Sequence, residues 1–202
     1  LPGEQGESRG TAQASRLYRS GPAQAFSLAD LSQGDASQGL KMALEKGAAT
    51  AIGLLGVQDG FMGNDKVRIG LPEFMQKGTR MLKTMGMSKQ LDALNLQMNR
   101  AAEAAVPLSQ KLLIQSIQSM SVQDAKSILQ GGDTSVTRFF IDKTQMPLTE
   151  EFMPQVKQVL GQLGVVEQFN ALAGKLSGLG LLSKDNAQLE NHVTAKTLDG
   201  LY

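Results

Sequence analysis

An all-α architecture, an irregular and largely orthogonal bundle of about seven or eight helices, is predicted by three features of this chain. Apolar residues recur at three- and four-residue spacing in one segment after another, and no region reads as strand-rich or as a fixed-period repeat. Aromatics are 4% of the 202 residues and Trp is absent, so the interior falls to Leu, Ile, Val, Ala and Met, which suit close helix packing better than aromatic cross-strand pairs. Glycines mark the joints between short periodic segments, which favours angled helices over a long four-helix coil.

Taken in order, residues 1–25 are rich in Gly, Ser, Gln and Pro, with three arginines, and predict a flexible arm. Residues 26–202 predict a single helical domain, with Phe26, Leu28 and Leu31 of "FSLADLS" as a turn that docks the arm. Helical spacing runs from Asp35, a candidate cap, through Leu40, Ala43, Leu44, Ala48, Ala51, Ile52 and Leu55 to a stop at Gly56. "VQDGFMGNDKVRIGLPE" then breaks the periodicity; its Phe61 is expected to plug the core and its "VRI" to be extended. A helix from Glu73 to Met85 places Phe74, Met81, Leu82 and Met85 on one face and ends at Gly86. Ser88 is the expected cap of the next, whose apolar set Leu91, Leu94, Met98, Ala101, Ala102 and Ala105 leads to Pro107, where a kink or split is expected, and on to Leu112, Leu113, Ile117 and Met120.

"SVQD" at Ser121–Asp124 reads as a capping box, and Gly131 with Gly132 closes a short helix at Gln130. Asp133 or Thr134 is the expected cap of a helix through about Gln145. Pro147, Thr149, Glu150 and Glu151 predict the opening of another through about Leu163, and helices near Val165–Leu179 and Asn186–Leu201 complete the chain.

The formal net charge is +1 from 20 basic and 19 acidic side chains, dispersed along the chain, whereas a nucleic-acid binder concentrates basic surface; nucleic acid is not an expected partner. Cysteine is absent, which excludes disulfides and thiolate metal sites. The longest apolar runs, such as "AIGLLGV", fall well short of the roughly 20 residues of a membrane span.

No segment carries a complete catalytic or cofactor fingerprint, so no cofactor is expected and the chain reads as non-enzymatic. Successive amides at Gly131–Gly132 entering a helix, with Arg138 one turn later, could cradle an anion; Asp133 would compete for those amides as a cap, and a plain helix junction is the alternative. Asp59, Asn64 and Asp65 supply oxygen ligands without the spacing of a calcium loop, so an Asx-stabilised turn is expected and no metal site. Arg100 and Glu103, with Asn99 beside them, sit in an otherwise small and apolar helix, where they can pair with each other or with adjacent helices. Arg100, Glu103, Asp133 and Arg138 are therefore the candidate ligand-binding residues. His192, the single histidine, has no nucleophile motif near it and reads as a surface or helix-end residue. Ten methionines could line a plastic apolar groove or fill the core.

The blocks "DASQGLKMALEKGAATAIGLLG", "DGFMGNDKVRIGLPE", "QMNRAAEAAVP" and "SVQDAKSILQGGDTSVTRFF", with weaker agreement in "GVVEQFNALAG" and "ENHVTAKTLDGLY", resemble the bacterial domain-of-unknown-function family 4197. The resemblance implies a helical protein, exported with its leader removed, in the periplasm or another envelope compartment. It also implies an acid at the position of Thr134 and a basic residue at that of Ile141, where this chain departs, and a further charged helix beyond "LDGLY" whose lack would expose an apolar groove.

Three functional classes follow as expectations. The first is a non-enzymatic exported protein that binds a partner protein or self-associates through an apolar helix groove. The second is a carrier of a lipid or other apolar small molecule in a closed cavity. The third is an anion-binding or enzymatic domain, which requires the four candidate residues to converge.

Overall fold

The computed structural model describes residues 33–178, 180 and 189–202; the predicted arm, the "FSLADLS" turn and the start of the predicted last helix lie outside them. Among the described residues the fold is all-α: α1 (Gln33–Leu55), α2 (Glu73–Thr84), α3 (Ser88–Ala105), a 3-10 turn (Val106–Leu108), α4 (Ser109–Gln118), α5 (Val122–Gln130), α6 (Ser135–Gln162), α7 (Val165–Gly178) and α8 (Leu189–Leu201). No helix among them is long and apolar enough to cross a membrane.

The helix α3 lies at the centre. All six of its predicted apolar positions are buried, at 2% exposure or less, and it packs against α2, α6, α7 and α8. Pro107 splits it from α4 as expected, within the 3-10 turn. The main core joins α3 to Phe61, Phe152, Phe169, Leu172 and Val193; a smaller cluster of Met120, Ala125, Ile128 and Phe139 seats α5 on α6.

Several ends behave as read. Ser121 and Asp124 form a reciprocal capping box at the start of α5. The α2 helix ends with Gly86 at φ +77°, where the Gly86 amide bonds to Lys83 O and the Met87 amide to Leu82 O, a Schellman closure that requires a residue able to turn left-handed. Other expected caps differ. Asp35 lies inside the first turn of α1, where the helix dipole favours an acid. Ser88 is the first residue of α3, and its N-cap, Met87, makes no side-chain bond.

Two larger expectations are corrected. The segments around Pro147 form one continuous helix: α6 runs through Pro147 and Pro154. Both prolines are exposed, and the carbonyls they leave without an amide partner, on Lys143 and Glu150, also belong to exposed residues that water can reach. Each interior proline costs about 3 kcal/mol, which burial of Leu148, Phe152, Val156 and Leu160, worth about 1.5–3 kcal/mol per side chain, offsets. The face of α2 is also rotated from the expected one. Met75, Gly78 and Leu82 are its buried residues, while Met81 and Met85 are 44% and 51% exposed. Gly78 sets the rotation, because a Cβ there would collide with the Leu176 side chain of α7. The "VRI" segment is not a strand.

Candidate functional site

The irregular segment, residues 56–72, is folded by backbone turns between Val57 and Arg68 and is fastened to α3 by side chains. Asn99, wholly buried on α3, accepts from the Ile69 amide through Oδ1 at 2.8 Å and donates through Nδ2 to Ile69 O at 2.9 Å. One side-chain amide thus gives Ile69 the two bonds that a neighbouring strand would supply. Glu103, one helical turn on and 5% exposed, accepts from the amides of Phe61 and Met62 through Oε1, at 3.1 and 3.2 Å. Its Oε2 lies 2.6 Å from Arg100 Nη1, and Arg100 Nη2 lies 2.8 Å from Asp59 Oδ1.

This chain of bonds explains the loop's conformation. Asp59 holds φ +66°, the one described residue other than glycine with a positive φ; an Asp tolerates that region better than most side chains, and Arg100 fixes it there. The Arg100 guanidinium is held above its ordinary pKa, first by its hydrogen bond to Glu103 and then by that to Asp59. Anchored in this way, Phe61 enters the core with no exposed surface, as expected from the sequence. Its ring lies where a Cβ on Gly200 of α8 would be only 2.9 Å away, so α8 closes over the loop. His192, half-buried on α8, places Nε2 2.9 Å from Gly70 O, which makes Nε2 the donor and the histidine a tie between helix and loop.

The Asx reading of the loop also fits. Asn64 Oδ1 accepts from the Lys66 amide and Asp65 pairs with Arg68, so Asp59, Asn64 and Asp65 point to three different partners. A cleft of about 380 Å3 runs between this loop and α8, bordered by Lys66, Arg68, His192 and Lys196. Two of these cations are already paired, Arg68 with Asp65 and Lys196 with Asp199.

The second pair of candidate residues lies elsewhere. Gly131 and Gly132 form the junction of α5 and α6: Gly132 has φ +75°, and a Cβ on Gly131 would stand 2.6 Å from Ser127 O and 2.7 Å from Ser135 Cβ. Neither Asp133 nor Thr134 caps α6; the N-cap Thr134 makes no side-chain bond. Ser135 ties the joint instead, with its hydroxyl 2.8 Å from Ile128 O and 2.7 Å from Gly132 O. Asp133 is exposed. Arg138 lines a cleft of about 380 Å3 between the two helices, which contains neither Arg100 nor Glu103. The four candidates therefore form no single site.

That cleft follows from helix periodicity: positions 124, 127, 128 and 131 of α5 and its end face 135, 138, 139 and 142 of α6. On the opposite side of α5, toward α1, lies an apolar groove of about 200 Å3 lined by Ala36, Val122, Ala125 and Leu129. No spacing rule marks the apolar groove, because it depends on how α1 and α5, separated in the chain, come together.

A family model described as "Protein of unknown function (DUF4197)" matches residues 30–202. The chain belongs to this family. No curated protein and no solved structure matches the chain. Within this DUF4197 protein, the matched region contains both the α3 loop clamp and the α5–α6 junction, which lie in three of the blocks that carry the resemblance.

Proposed function

We propose that this DUF4197 protein is a non-enzymatic, exported helical protein that binds a partner protein, or a second copy of itself, through the apolar groove between α1 and α5. The supporting observation is the exposure of the groove's rim: Val122 is 50% and Leu129 59% exposed, above walls formed by Ala36 and Ala125. Apolar side chains gathered at a groove between helices suit an amphipathic segment laid along it. The outer face of α1 argues in the same direction. Met42 and Leu54 are each 66% exposed, and Gly39, Gly47 and Gly53 have nothing within 4 Å of a built Cβ. Glycine inside an exposed helix costs about 1 kcal/mol relative to Ala, and nothing in the described chain uses the space it leaves.

A non-enzymatic role is favoured because Asn99 and Glu103, the two buried polar residues of the clamp on α3, are fully engaged. Both Glu103 oxygens and both ends of the Asn99 amide are bonded to the loop or to Arg100, which leaves no free proton acceptor facing a cleft there. Export to the periplasm or another envelope compartment rests on the family resemblance. Sedimentation velocity across a concentration series, with an affinity pull-down from envelope extract, tests the reading. The expected result is a dimer or a retained partner that Leu129→Asp and Val122→Asp each abolish without changing the melting temperature. A monomer that retains nothing, or retention indifferent to both substitutions, overturns it. Cell fractionation of the tagged gene product tests the compartment.

A further inference from the structure

The cleft between α5 and α6 combines an apolar floor with charged side chains that are only partly paired. Its floor is apolar, formed by Ile128 and Phe139, each 7% exposed. Four charged side chains surround that floor: Asp124, Arg138, Asp142 and Lys143. Asp124 is committed, since its Oδ2 accepts from both the amide and the hydroxyl of Ser121, at 3.0 and 2.7 Å, and its Oδ1 stands 4.0 Å from Lys143 Nζ. Arg138 and Asp142, one helical turn apart on α6, make no side-chain hydrogen bond or ion pair with any described residue. The cleft therefore offers one open guanidinium and one open carboxylate above an apolar base.

We infer that this cleft is a binding site for a small zwitterion with an apolar side chain, of the chemical class of a free α-amino acid: its carboxylate on Arg138, its ammonium on Asp142 and its side chain on Ile128 and Phe139. The charge pattern selects this class. A simple anion drawn to Arg138 and Lys143 meets Asp142 and Asp124, and a simple cation meets the reverse. A wholly apolar ligand would strip water from four charges and return no bond to them. A zwitterion satisfies both open groups at once, and charge-assisted bonds to each end fix its orientation. The volume, about 380 Å3, falls at the lower end of the roughly 300–1,000 Å3 of small-molecule sites, which suits a molecule of this size. The site is separate from the groove proposed for protein binding, because the two lie on opposite sides of α5.

The test uses the full chain and three related probes: L-leucine, N-acetyl-L-leucine, which lacks the ammonium, and L-leucinamide, which lacks the carboxylate. Binding is followed by calorimetry and by amide chemical shifts. L-leucine is expected to bind saturably at millimolar concentration or below and to move the signals of Ile128, Arg138, Phe139 and Asp142. Each of the other probes should bind about tenfold more weakly, the loss of one charge-assisted contact. Arg138→Gln and Asp142→Asn should each weaken leucine about tenfold with the melting temperature unchanged, while Leu129→Asp leaves it unaltered. Absence of saturable leucine binding overturns the inference. So does equal binding of N-acetyl-L-leucine, which would make the cleft a plain anion site, or shifts centred on Val122 and Leu129, which would place the ligand in the apolar groove.

Discussion

Two of the places where charged side chains gather, the clamp on α3 and the cleft between α5 and α6, use charge in opposite ways. In the clamp every group has a partner: Asn99 and Glu103 are buried, and their bonds end on the backbone of a loop some thirty to forty residues away in sequence. At the cleft the charges sit at the mouth and two of them are unpaired. Saturated and buried, polar groups act as structural bolts, because removing one strands the other. Left open beside an apolar floor, they are available to something outside the chain. The same residue types, Arg with an acid one turn away, thus serve different ends: Arg100 and Glu103 stability, Arg138 and Asp142 the proposed recognition.

If that contrast is right, substitutions at the clamp should be far more damaging than those at the cleft. Glu103→Ala removes a buried acceptor from two amides and from Arg100, and is expected to cost about 3 kcal/mol or more in chemical denaturation. A loss below about 1 kcal/mol would mean that water replaces the carboxylate and that the clamp is not a bolt. Asn99→Ala orphans the amide and carbonyl of Ile69 and should cost about 2–3 kcal/mol, with hydrogen exchange rising first at Ile69.

Asp124 lies between these extremes, half bolt and half cleft wall. Its pKa is lowered from 3.8, first by the Ser121 hydroxyl and then by the Ser121 amide. A lowered pKa in the fold means stability that is present above the unfolded carboxylate value and is lost as pH falls through the folded one. Asp124→Asn should therefore cost about 0.5–1 kcal/mol near neutrality, and the gap to the parent should close as acid protonates the folded carboxylate, as followed by urea melts at stepped pH. Smallest of all, Arg138→Gln should change stability by less than about 0.5 kcal/mol, since the guanidinium contacts no described partner. A cost like that of Glu103→Ala would erase the distinction.

How much of this was legible in the sequence depends on whether the determining contact is local. The buried face of α3, the capping box at Ser121 and the closing glycine at Gly86 were all readable, because each depends on neighbours within a turn or two. The pairing of Arg100 with Glu103 was readable for the same reason, but its target was not: nothing local to "MNRAAEAAVP" says that Asn99 faces Ile69. The face of α2 is not legible locally, because Gly78 looks like a weak point in a helix until Leu176, nearly a hundred residues on, occupies its space. Pro147 looks like a boundary because proline usually is one; its exposed position and the buried residues flanking it become visible only once α6 is folded. The α5–α6 cleft had a partial signal in Gly131, Gly132 and Arg138, whereas the groove between α1 and α5 had none, since it is made by docking of distant helices.

The buried residues Thr144, Leu148, Phe152, Val156 and Leu160 of α6 step by four, and on a helix of 3.6 residues per turn each such step rotates the line by about 40°. The inward surface therefore spirals around the rod, and α3, α4, α5, α7 and α8 each touch it. No neighbour can detach without baring part of that spiral, so the amides between Leu148 and Val156 should be released only when the whole molecule opens. They would be the last to take up deuterium.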